Sequence, residues 1–151
     1  MHINFLLKVF NENVHKDAII FKDKIYSYKW LNDNLNNFRH FFDLNKIKKG
    51  TVVSLRGDFD PNSIALLLAL IEKACIIVPL VDESNKNENR LLDIAQVEYI
   101  ISVNKHGDIK IETVSRKLDN DYYRVLRERG HPGLVLFTSG TSGEPKAAVH
   151  D

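Results

Sequence analysis

The sequence is poor in cysteine, and this excludes several classes of small protein. Only Cys75 occurs among the 151 residues, so the chain cannot form an internal disulfide. A cysteine-based zinc site is excluded for the same reason, and the six histidines lack a metal-ligand spacing such as His-x-x-x-His. Low cysteine usage is typical of proteins in a reducing compartment, so we expect a cytoplasmic protein.

Long apolar runs and an excess of charge of one sign are also absent. The longest uninterrupted apolar run, residues 64–71, is much shorter than the roughly 20 residues that a membrane-spanning helix needs. Residues 3–10 are apolar but contain Lys8, and no small-residue cleavage site follows them, which favours an amphipathic helix over a leader peptide. The formal net charge of +1 gives no reason to expect a nucleic acid or a membrane surface as a partner.

What the sequence does contain is a regular alternation of apolar runs and turn residues. Residues 18–21 and 24–26 are β-prone and predict a hairpin. Ser27 is a good helix cap, and the helix predicted after it carries apolar residues at three- and four-residue spacing, which is typical of a face packed on the core. The residues of this stripe are Tyr28, Leu31, Leu35, Phe38 and Phe42.

The middle of the chain predicts a buried helix between two buried strands. Asp60 followed by Pro61 indicates a helix start, because Asp caps helices and proline fits their first turn. Residues 64–71 are apolar on all sides, so this helix should be deeply buried. The two strands are predicted at residues 51–55 and 76–80.

The second half of the chain continues the alternation. We predict a helix at residues 88–95, strands at 98–103, 109–114 and 134–137, and the start of another strand at 147–149. Residues 115–131 carry scattered charges, and we predict a surface connection there. Helices that alternate with near-continuous apolar strands predict an α/β layered domain, with a largely parallel sheet flanked by helices.

One segment, LVLFTSGTSGEPKAAVHD at residues 134–151, is dense enough in special residues to indicate a chemistry. Its hydroxyl groups, glycines and lysine are Thr138, Ser139, Gly140, Thr141, Ser142, Gly143 and Lys146. Glycine lets the backbone turn and approach a ligand closely, and loop N–H groups, hydroxyls and an ammonium form a cradle for a polyphosphate. The loop also follows a predicted strand, where ligands bind in parallel sheets. The alternative is a polar turn between two strands, since the same residue types are common in turns.

The order of these residues separates two kinds of phosphate loop. A Walker A loop has Gly before its Lys and Ser or Thr after it, whereas Pro145 precedes Lys146 and Ala147 follows it. The segment instead resembles the phosphate loop of the AMP-forming adenylating enzymes. That superfamily includes acyl-CoA synthetases, aryl-CoA ligases, luciferases and the adenylation domains of peptide synthetases. Residues 137–147 match its pattern, roughly Phe/Tyr-Thr-Ser-Gly-Thr-Thr/Ser-Gly-x-Pro-Lys-Gly/Ala, at every position.

Looser resemblances precede the loop in the same order as in the family. Residues 27–31 are similar to Thr-Tyr-x-Glu-Leu, residues 50–53 to Gly-Asp-x-Val, and residues 72–80 to a Lys-Ala-Gly segment that runs into a Val-Pro pair. Trp30 replaces the usual acidic residue and Cys75 replaces the usual glycine. Both are far from the loop in sequence, so we expect altered packing rather than lost chemistry.

The resemblance implies an ATP-dependent ligase that activates a carboxylic acid. In that reaction a carboxylate attacks the α-phosphorus of ATP, an acyl-adenylate forms and pyrophosphate leaves. The acyl group is then transferred to CoA or to a phosphopantetheinyl carrier protein. The resemblance assigns residues 138–143 to binding the ATP phosphates and Lys146 to neutralising the pyrophosphate. The Mg²⁺ that accompanies ATP would take an oxygen ligand from Thr138 or Thr141.

The resemblance also implies that residues 1–151 are the first part of the large N-terminal AMP-binding domain, ending just after the phosphate loop. In the family the adenine site, the ribose-binding aspartate, the acyl pocket and the C-terminal domain follow this loop. The fragment alone is therefore expected to be inactive, and nothing in it selects between a fatty, aryl or amino acid. The alternative is a stand-alone or vestigial module that binds nucleotide phosphates without catalysis.

Weaker candidates have simpler explanations. His150 either has a positional role near the nucleotide or faces solvent. Asp58 and Asp60 are better explained by turn and cap roles than by paired catalytic carboxylates. Cys75 follows a predicted buried helix and is expected to pack rather than to react.

Overall fold

A computed structural model of the protein describes residues 2–80, 88–104, 106–114, 118–139 and 145–151. Within these residues the helices are α1 (Asn4–Glu12), α2 (Tyr28–Leu44), α3 (Pro61–Glu72), α4 (Glu88–Ile94) and α5 (Asp121–Arg129). The strands are β1 (Asp17–Phe21), β2 (Lys24–Ser27), β3 (Val52–Arg56), β4 (Ile76–Leu80), β5 (Tyr99–Val103), β6 (Ile109–Thr113), β7 (Gly133–Ser139) and β8 (Pro145–His150). None of the helices in the described parts of the chain combines the length and apolar character that a membrane span requires.

A six-stranded sheet with the order β6-β5-β3-β4-β7-β8 forms the centre of the molecule. The pairs β3–β4, β3–β5 and β4–β7 are parallel, whereas β6 and β8 pair antiparallel to their neighbours at the two edges. Strands β1 and β2 form a separate antiparallel hairpin. The predicted α/β class with a largely parallel sheet is therefore confirmed, as is the hairpin near the start of the chain.

One face of the sheet is covered by α2 and α3, with α1 packed on α2. The hydroxyl oxygen of Ser27 accepts a hydrogen bond from the backbone N–H of Trp30 and so caps α2, as predicted. The predicted stripe of α2 faces the core: Leu31, Leu35, Phe38 and Phe42 are buried, and Tyr28 is half-buried against them. Spacing at three and four residues thus identified the buried face of α2 correctly.

Helix α3 begins as predicted but is less buried than predicted. The carboxylate of Asp60 accepts hydrogen bonds from the N–H groups of Asn62 and Ser63, at 2.8 and 3.1 Å, and caps the helix. The buried apolar side chains of α3 are those of Ala65, Leu66, Ala69 and Leu70. Ile64, Leu67 and Ile71 are only half-buried, because the side of α3 that faces β7 is open in the described structure.

The opposite face of the sheet packs against α4 and α5, and α5 corrects a prediction. Residues 121–129 are helical rather than part of a surface connection. The Asn120 side chain caps this helix, which ends at Gly130 in the left-handed conformation that glycine favours. Tyr123 and Leu126 are buried in the core between α5 and the sheet, while most other residues of the helix are charged or exposed.

Candidate functional site

Strands β7 and β8 carry the two ends of the proposed phosphate loop. They pair antiparallel from Leu134–His150 to Ser139–Pro145, so the predicted strand–loop–strand arrangement is confirmed. Because β7 is parallel to β4, its end at Ser139 lies at the same edge of the sheet as the carboxyl ends of β3, β4 and β5. Ligands of α/β proteins bind at this edge.

Only part of the predicted site falls within the described residues. Thr138 and Lys146 are described fully, and the backbone of Ser139 is described as the end of β7. The predicted contributions of Gly140, Thr141, Ser142 and Gly143 lie outside the described residues.

Thr138 and Lys146 are register partners at the loop end of the strand pair. Residues directly opposite each other in an antiparallel pair project to the same face, with Cβ atoms about 5 Å apart. Both residues are exposed. A hydroxyl and an ammonium therefore project side by side at the carboxyl edge of the sheet, which is a suitable arrangement for binding an anion.

The opposite face of the strand pair is anchored in the core. Val135 is buried, and Phe137, Ala147 and Val149 pack against the same cluster of apolar residues as α5. Alternation along the strands therefore directs one set of side chains into the core and leaves Thr138 and Lys146 on the other face. This anchoring fixes the position of the two polar groups without using them for packing.

The start of β7 is held by close backbone contacts. The N–H of Gly133 donates to the carbonyl oxygen of Cys75 at 3.0 Å. A Cβ atom at Gly133 would lie 2.6 Å from Leu126 Cδ1, so only glycine lets α5 approach the sheet this closely.

His150 lies at the far end of the strand pair from Lys146. It is exposed and pairs with Leu134, about 13 Å along the strands from the pair formed by Thr138 and Lys146. The position agrees better with a solvent-facing histidine than with a role beside the phosphates.

The end of β8 is fixed by a charged cluster that sequence reasoning did not identify. Asp151 accepts hydrogen bonds from His131 Nδ1 at 2.7 Å and from Arg129 Nη1 at 3.2 Å. The bond from His131, reinforced by Arg129, holds the pKa of the Asp151 carboxyl below its usual value. No local spacing could indicate this cluster, because Arg129 ends α5 and His131 precedes β7, whereas Asp151 follows β8.

An ion pair at the carboxyl edge was also missed. Arg56, at the end of β3, pairs with Glu88, in the first turn of α4, and their side chains are only 13% and 14% exposed. The pair connects the central strand to α4.

A large apolar groove runs along the face of the sheet that carries Thr138 and Lys146. We call it the β7 groove; its volume is about 810 Å³. One wall is formed by Ile64, Leu67 and Ile71 of α3, and the floor includes Ile77, Pro79, Leu134 and Leu136. Phe59, which is 85% exposed, stands at the rim.

The remaining candidates have structural roles, as predicted. Asp60 caps α3, and the carboxylate of Asp58 accepts a hydrogen bond from the N–H of Phe59 at 2.8 Å. Cys75 is buried, and burial raises the pKa of its thiol to about 12, so the thiol stays protonated at neutral pH. A thiol in this state packs rather than reacts.

The profile of one protein family, described as AMP-binding enzyme, matches residues 7–151. The chain belongs to this family. The match covers nearly the whole chain and includes both strands of the candidate site, so the resemblance found in residues 137–147 is confirmed.

Curated relatives of this AMP-binding family member include a synthetase and a CoA ligase that are much longer than the chain. It is 27% identical, over 90% of its length, to the hybrid PKS-NRPS synthetase xenE of Xenoacremonium sinensis, of which it covers 4%. It is 24% identical, over 95% of its length, to the 2-succinylbenzoate–CoA ligase of Bacillus pumilus, of which it covers 32%. The chain thus spans about a third of the length of this ligase.

Several solved structures have a fold similar to that of the chain. The Klebsiella oxytoca NpsA N-terminal subdomain in complex with 3-hydroxyanthranilyl-AMSN matches 97% of the chain with a TM-score of 0.69 and 20% identity. The chain covers 38% of that structure. VinN in complex with L-aspartate matches 99% of the chain with a TM-score of 0.70 and 15% identity, and the chain covers 47% of it. At these identities the likeness shows the fold alone.

Proposed function

We propose that this AMP-binding family member is the amino-terminal part of an enzyme that activates a carboxylic acid with ATP. The observation that carries the proposal is the pairing of Thr138 with Lys146 at the carboxyl edge of the sheet. It supplies a hydroxyl and a cation on one face, at the two ends of the segment that matches the family's phosphate loop.

The proposed roles follow from the chemistry of each group. Lys146 carries the charge that neutralises the phosphates, and Thr138 and Ser139 donate hydroxyl hydrogen bonds to the β- and γ-phosphates. Residues 140–143, outside the described structure, are assigned by the resemblance to the same cradle of N–H groups and hydroxyls.

The proposed role of Lys146 follows from the charge that develops on the leaving pyrophosphate. A carboxylate oxygen of the substrate bonds to the α-phosphorus of ATP, and the bond from that phosphorus to the bridging oxygen of the β-phosphate breaks. The products are an acyl-adenylate and pyrophosphate. Charge develops on the pyrophosphate as it leaves, so a fixed cation beside it lowers the barrier.

A thiol acceptor is proposed for the second half-reaction, which makes the whole enzyme an acid–thiol ligase. Support comes from the names of the relatives, which are a CoA ligase and peptide synthetases, including bacitracin synthase 3 of Bacillus licheniformis. The thiol would belong to CoA or to the phosphopantetheine arm of a carrier protein. Its sulfur attacks the acyl carbon and AMP leaves.

The described residues fit a Mg²⁺ ion that is bound mainly by the ATP phosphates better than an ion that is held by protein ligands alone. Across the described residues, no group of three or more His, Cys, Asp and Glu side chains could hold a metal. Mg²⁺ in nucleotide sites is commonly bound by phosphate oxygens and few protein ligands, and the exposed hydroxyl of Thr138 could be one of them. When bound, the ion would draw negative charge from the phosphate oxygens. Thr141, the other proposed ligand, lies outside the described residues.

We further propose that residues 1–151 form only the first part of the AMP-binding domain and have no catalytic activity by themselves. Support comes from the similar solved structures of NpsA and VinN, of which the chain covers less than half. The residues that select the acid would then lie in the remainder of the domain.

The proposal is tested by ATP–pyrophosphate exchange in the full-length product of the gene, over a panel of fatty, aryl and amino acids. We expect Lys146→Ala to slow exchange by about 10²–10³-fold, the usual cost of removing one group that stabilises transition-state charge. The KM for the carboxylic acid should change little. Lys24→Ala is the matched control, since Lys24 is also an exposed strand lysine but lies in β2.

Two results would contradict the proposal. Unchanged exchange in Lys146→Ala would remove the assigned role of Lys146. ATP binding by the wild-type protein without exchange on any acid would instead support a nucleotide-binding module without catalysis.

A further inference from the structure

A cluster of lysines lies at the amino edge of the sheet, opposite to the edge that carries the candidate phosphate site. The connection between α2 and β3 contributes Lys46, Lys48 and Lys49, which are all exposed. Lys73, at the end of α3, lies on the connection that leads into β4. These side chains line a shallow groove of about 570 Å³, together with Asp43, Ile47 and Glu72. We call it the basic groove.

The carboxylates of the basic groove are already paired. Asp43 accepts a hydrogen bond from Lys73 Nζ at 2.7 Å. Glu72 is paired with a residue of α2, the guanidinium of Arg39. Within the part of the chain that the structure describes, the three lysines of the connection have no carboxylate at ion-pair distance. The basic groove therefore keeps positive charge that its own acidic residues do not neutralise.

The ends of nearby helices offset only part of this charge. Lys46 follows the end of α2, and Lys49 Nζ lies against Gly130 at the end of α5. Cations near the carboxyl end of a helix are favourable, because the free carbonyl groups there carry partial negative charge. Each helix end amounts to only about half an elementary charge, so a whole lysine at each end leaves a surplus. Lys48 adds to this surplus.

An exposed leucine beside the basic groove favours one kind of anionic ligand. Leu44, next to Asp43 at the end of α2, is 68% exposed. A polypeptide can bring apolar and acidic side chains to such a surface together, whereas an inorganic anion has no apolar part. Protein interfaces commonly combine apolar contacts with charged groups that select the partner. Lysine also lacks the planar fork with which arginine binds phosphate in a bidentate manner.

We propose that the basic groove binds an acidic polypeptide segment of a partner protein. Carboxylates of the segment pair with Lys46, Lys48 and Lys49, and an apolar side chain of the segment contacts Leu44. The basic groove and the candidate phosphate site lie at opposite edges of the sheet, so a bound segment leaves the phosphate site open. The proposal does not depend on the proposed function.

Fluorescence anisotropy tests the proposal with a dye-labelled peptide in which glutamate and leucine alternate. The full-length gene product is titrated into this peptide at physiological ionic strength, since exposed ion pairs are screened by salt. The groove variant Lys46→Gln/Lys48→Gln is compared with the hairpin variant Lys22→Gln/Lys24→Gln. The hairpin variant removes the same charge from two exposed lysines of β1 and β2 and their turn.

A single substitution keeps the test valid if the groove variant does not fold. The φ angle of Lys46 is 57°, in the left-handed region that glycine favours. Lys46→Gly therefore removes a charge from the basic groove without adding backbone strain. Circular dichroism identifies any variant that does not fold.

We expect the Kd of the peptide to rise at least about fivefold in the groove variant and less than about twofold in the hairpin variant, because charges that face the ligand contribute most. Lys46→Gly should raise it at least about twofold. Leu44→Ser should raise it about threefold or more, since an apolar contact is lost. Phe5→Ser, at a residue of α1 that is 67% exposed, should leave it unchanged.

Four results would overturn the proposal. The first is no binding of the peptide by the wild-type protein, and the second is equal losses in the groove and hairpin variants. The third is unchanged binding in Leu44→Ser together with complete displacement of the peptide by inorganic tripolyphosphate, because the basic groove would then recognise negative charge alone. The fourth is tighter binding to vesicles of phosphatidylserine and phosphatidylcholine than to the peptide, which would identify a membrane surface instead.

Discussion

Arg39 of α2 and Glu72 at the end of α3 are joined by two hydrogen bonds, from Nε to Oε2 at 2.8 Å and from Nη2 to Oε1 at 2.7 Å. The side chain of Glu72 is only 4% exposed, so its carboxylate depends on this partner. The hydrogen bond that Arg39 donates to Glu72 also raises the pKa of Arg39 above its already high value, so the guanidinium stays charged. The two helices that cover one face of the sheet are thus connected by a paired charge.

Removing the arginine should destabilise the fold. Arg39→Met keeps most of the side-chain volume but leaves the carboxylate of Glu72 buried without its charged partner. We expect the free energy of unfolding in urea to fall by about 2 kcal/mol, less than for a fully buried pair because Arg39 is partly exposed. The control is Lys29→Met, which breaks the exposed pair with Asp33 on the same helix and should cost at most about 0.5 kcal/mol. Equal losses in the two variants would contradict this interpretation.

The close approach of α5 to β7 predicts that Gly133→Ala is destabilising. The new Cβ would lie 2.6 Å from Leu126 Cδ1, so either α5 or the strand must move. Overpacking of this kind usually costs about 1–3 kcal/mol. A double-mutant cycle with Leu126→Ala is the check, because removing the clashing carbon should recover part of the loss. Strict additivity of the two losses would show that the clash is not the cause.

Ser54 should be replaceable by alanine without loss of stability. Its hydroxyl oxygen is buried in β3 and has no hydrogen-bond partner in the described structure. Ser54→Ala removes this unpaired group and should change the free energy of unfolding by between zero and about +1 kcal/mol. Ser63→Ala is the contrast: the Ser63 hydroxyl donates to Asp60 Oδ2 at 3.1 Å, and its removal should be destabilising. Destabilisation by Ser54→Ala would indicate that the hydroxyl has a partner.

Stability should decrease at alkaline pH. Burial raises the pKa of Cys75 from 9.0 to about 12 and that of Tyr123 from 10.0 to about 12. Below pH 9 both groups are protonated in the folded and unfolded states, so they add no pH dependence. Above that value the unfolded state loses protons first, and the free energy of unfolding falls as the pH rises towards 12.

Denaturation in urea between pH 8 and pH 11 measures this dependence. Tyr123→Phe should reduce the slope of stability against pH, although it also breaks the 3.0 Å hydrogen bond from the Tyr123 hydroxyl to the carbonyl oxygen of Ala95. Tyr122→Phe, at an exposed position on the same helix, should leave the slope unchanged. An unaltered slope in Tyr123→Phe would show that the buried phenol is not responsible.

The sequence was most informative where local signals decide the structure. Ser27 and Asp60 cap α2 and α3 as predicted, because a side-chain oxygen beside the first helical N–H groups acts over three residues. The strand–loop–strand arrangement of β7 and β8 followed from the residues around Lys146. In each case the determining contact lies within a short segment.

The predictions failed where the determining contact is distant in sequence. Helix α5 was missed because only Tyr123 and Leu126 of its residues face the core, too few to form a visible apolar stripe. The open side of α3 was not foreseen either, since composition shows that a helix is apolar but not which neighbours it has. Likewise, only the fold brings His131 and Arg129 to Asp151.

The two edges of the sheet differ in how readily they accept another strand. β6 alternates apolar residues with Lys110 and Glu112, and charged edge strands resist pairing with a further strand. β8 has Ala147, Ala148 and Val149 in its central part. Pro145 and Lys146 at the start of β8 hinder pairing there in the same way. An unrelated chain that aggregates with the described sheet would therefore pair most readily with residues 147–149 of β8.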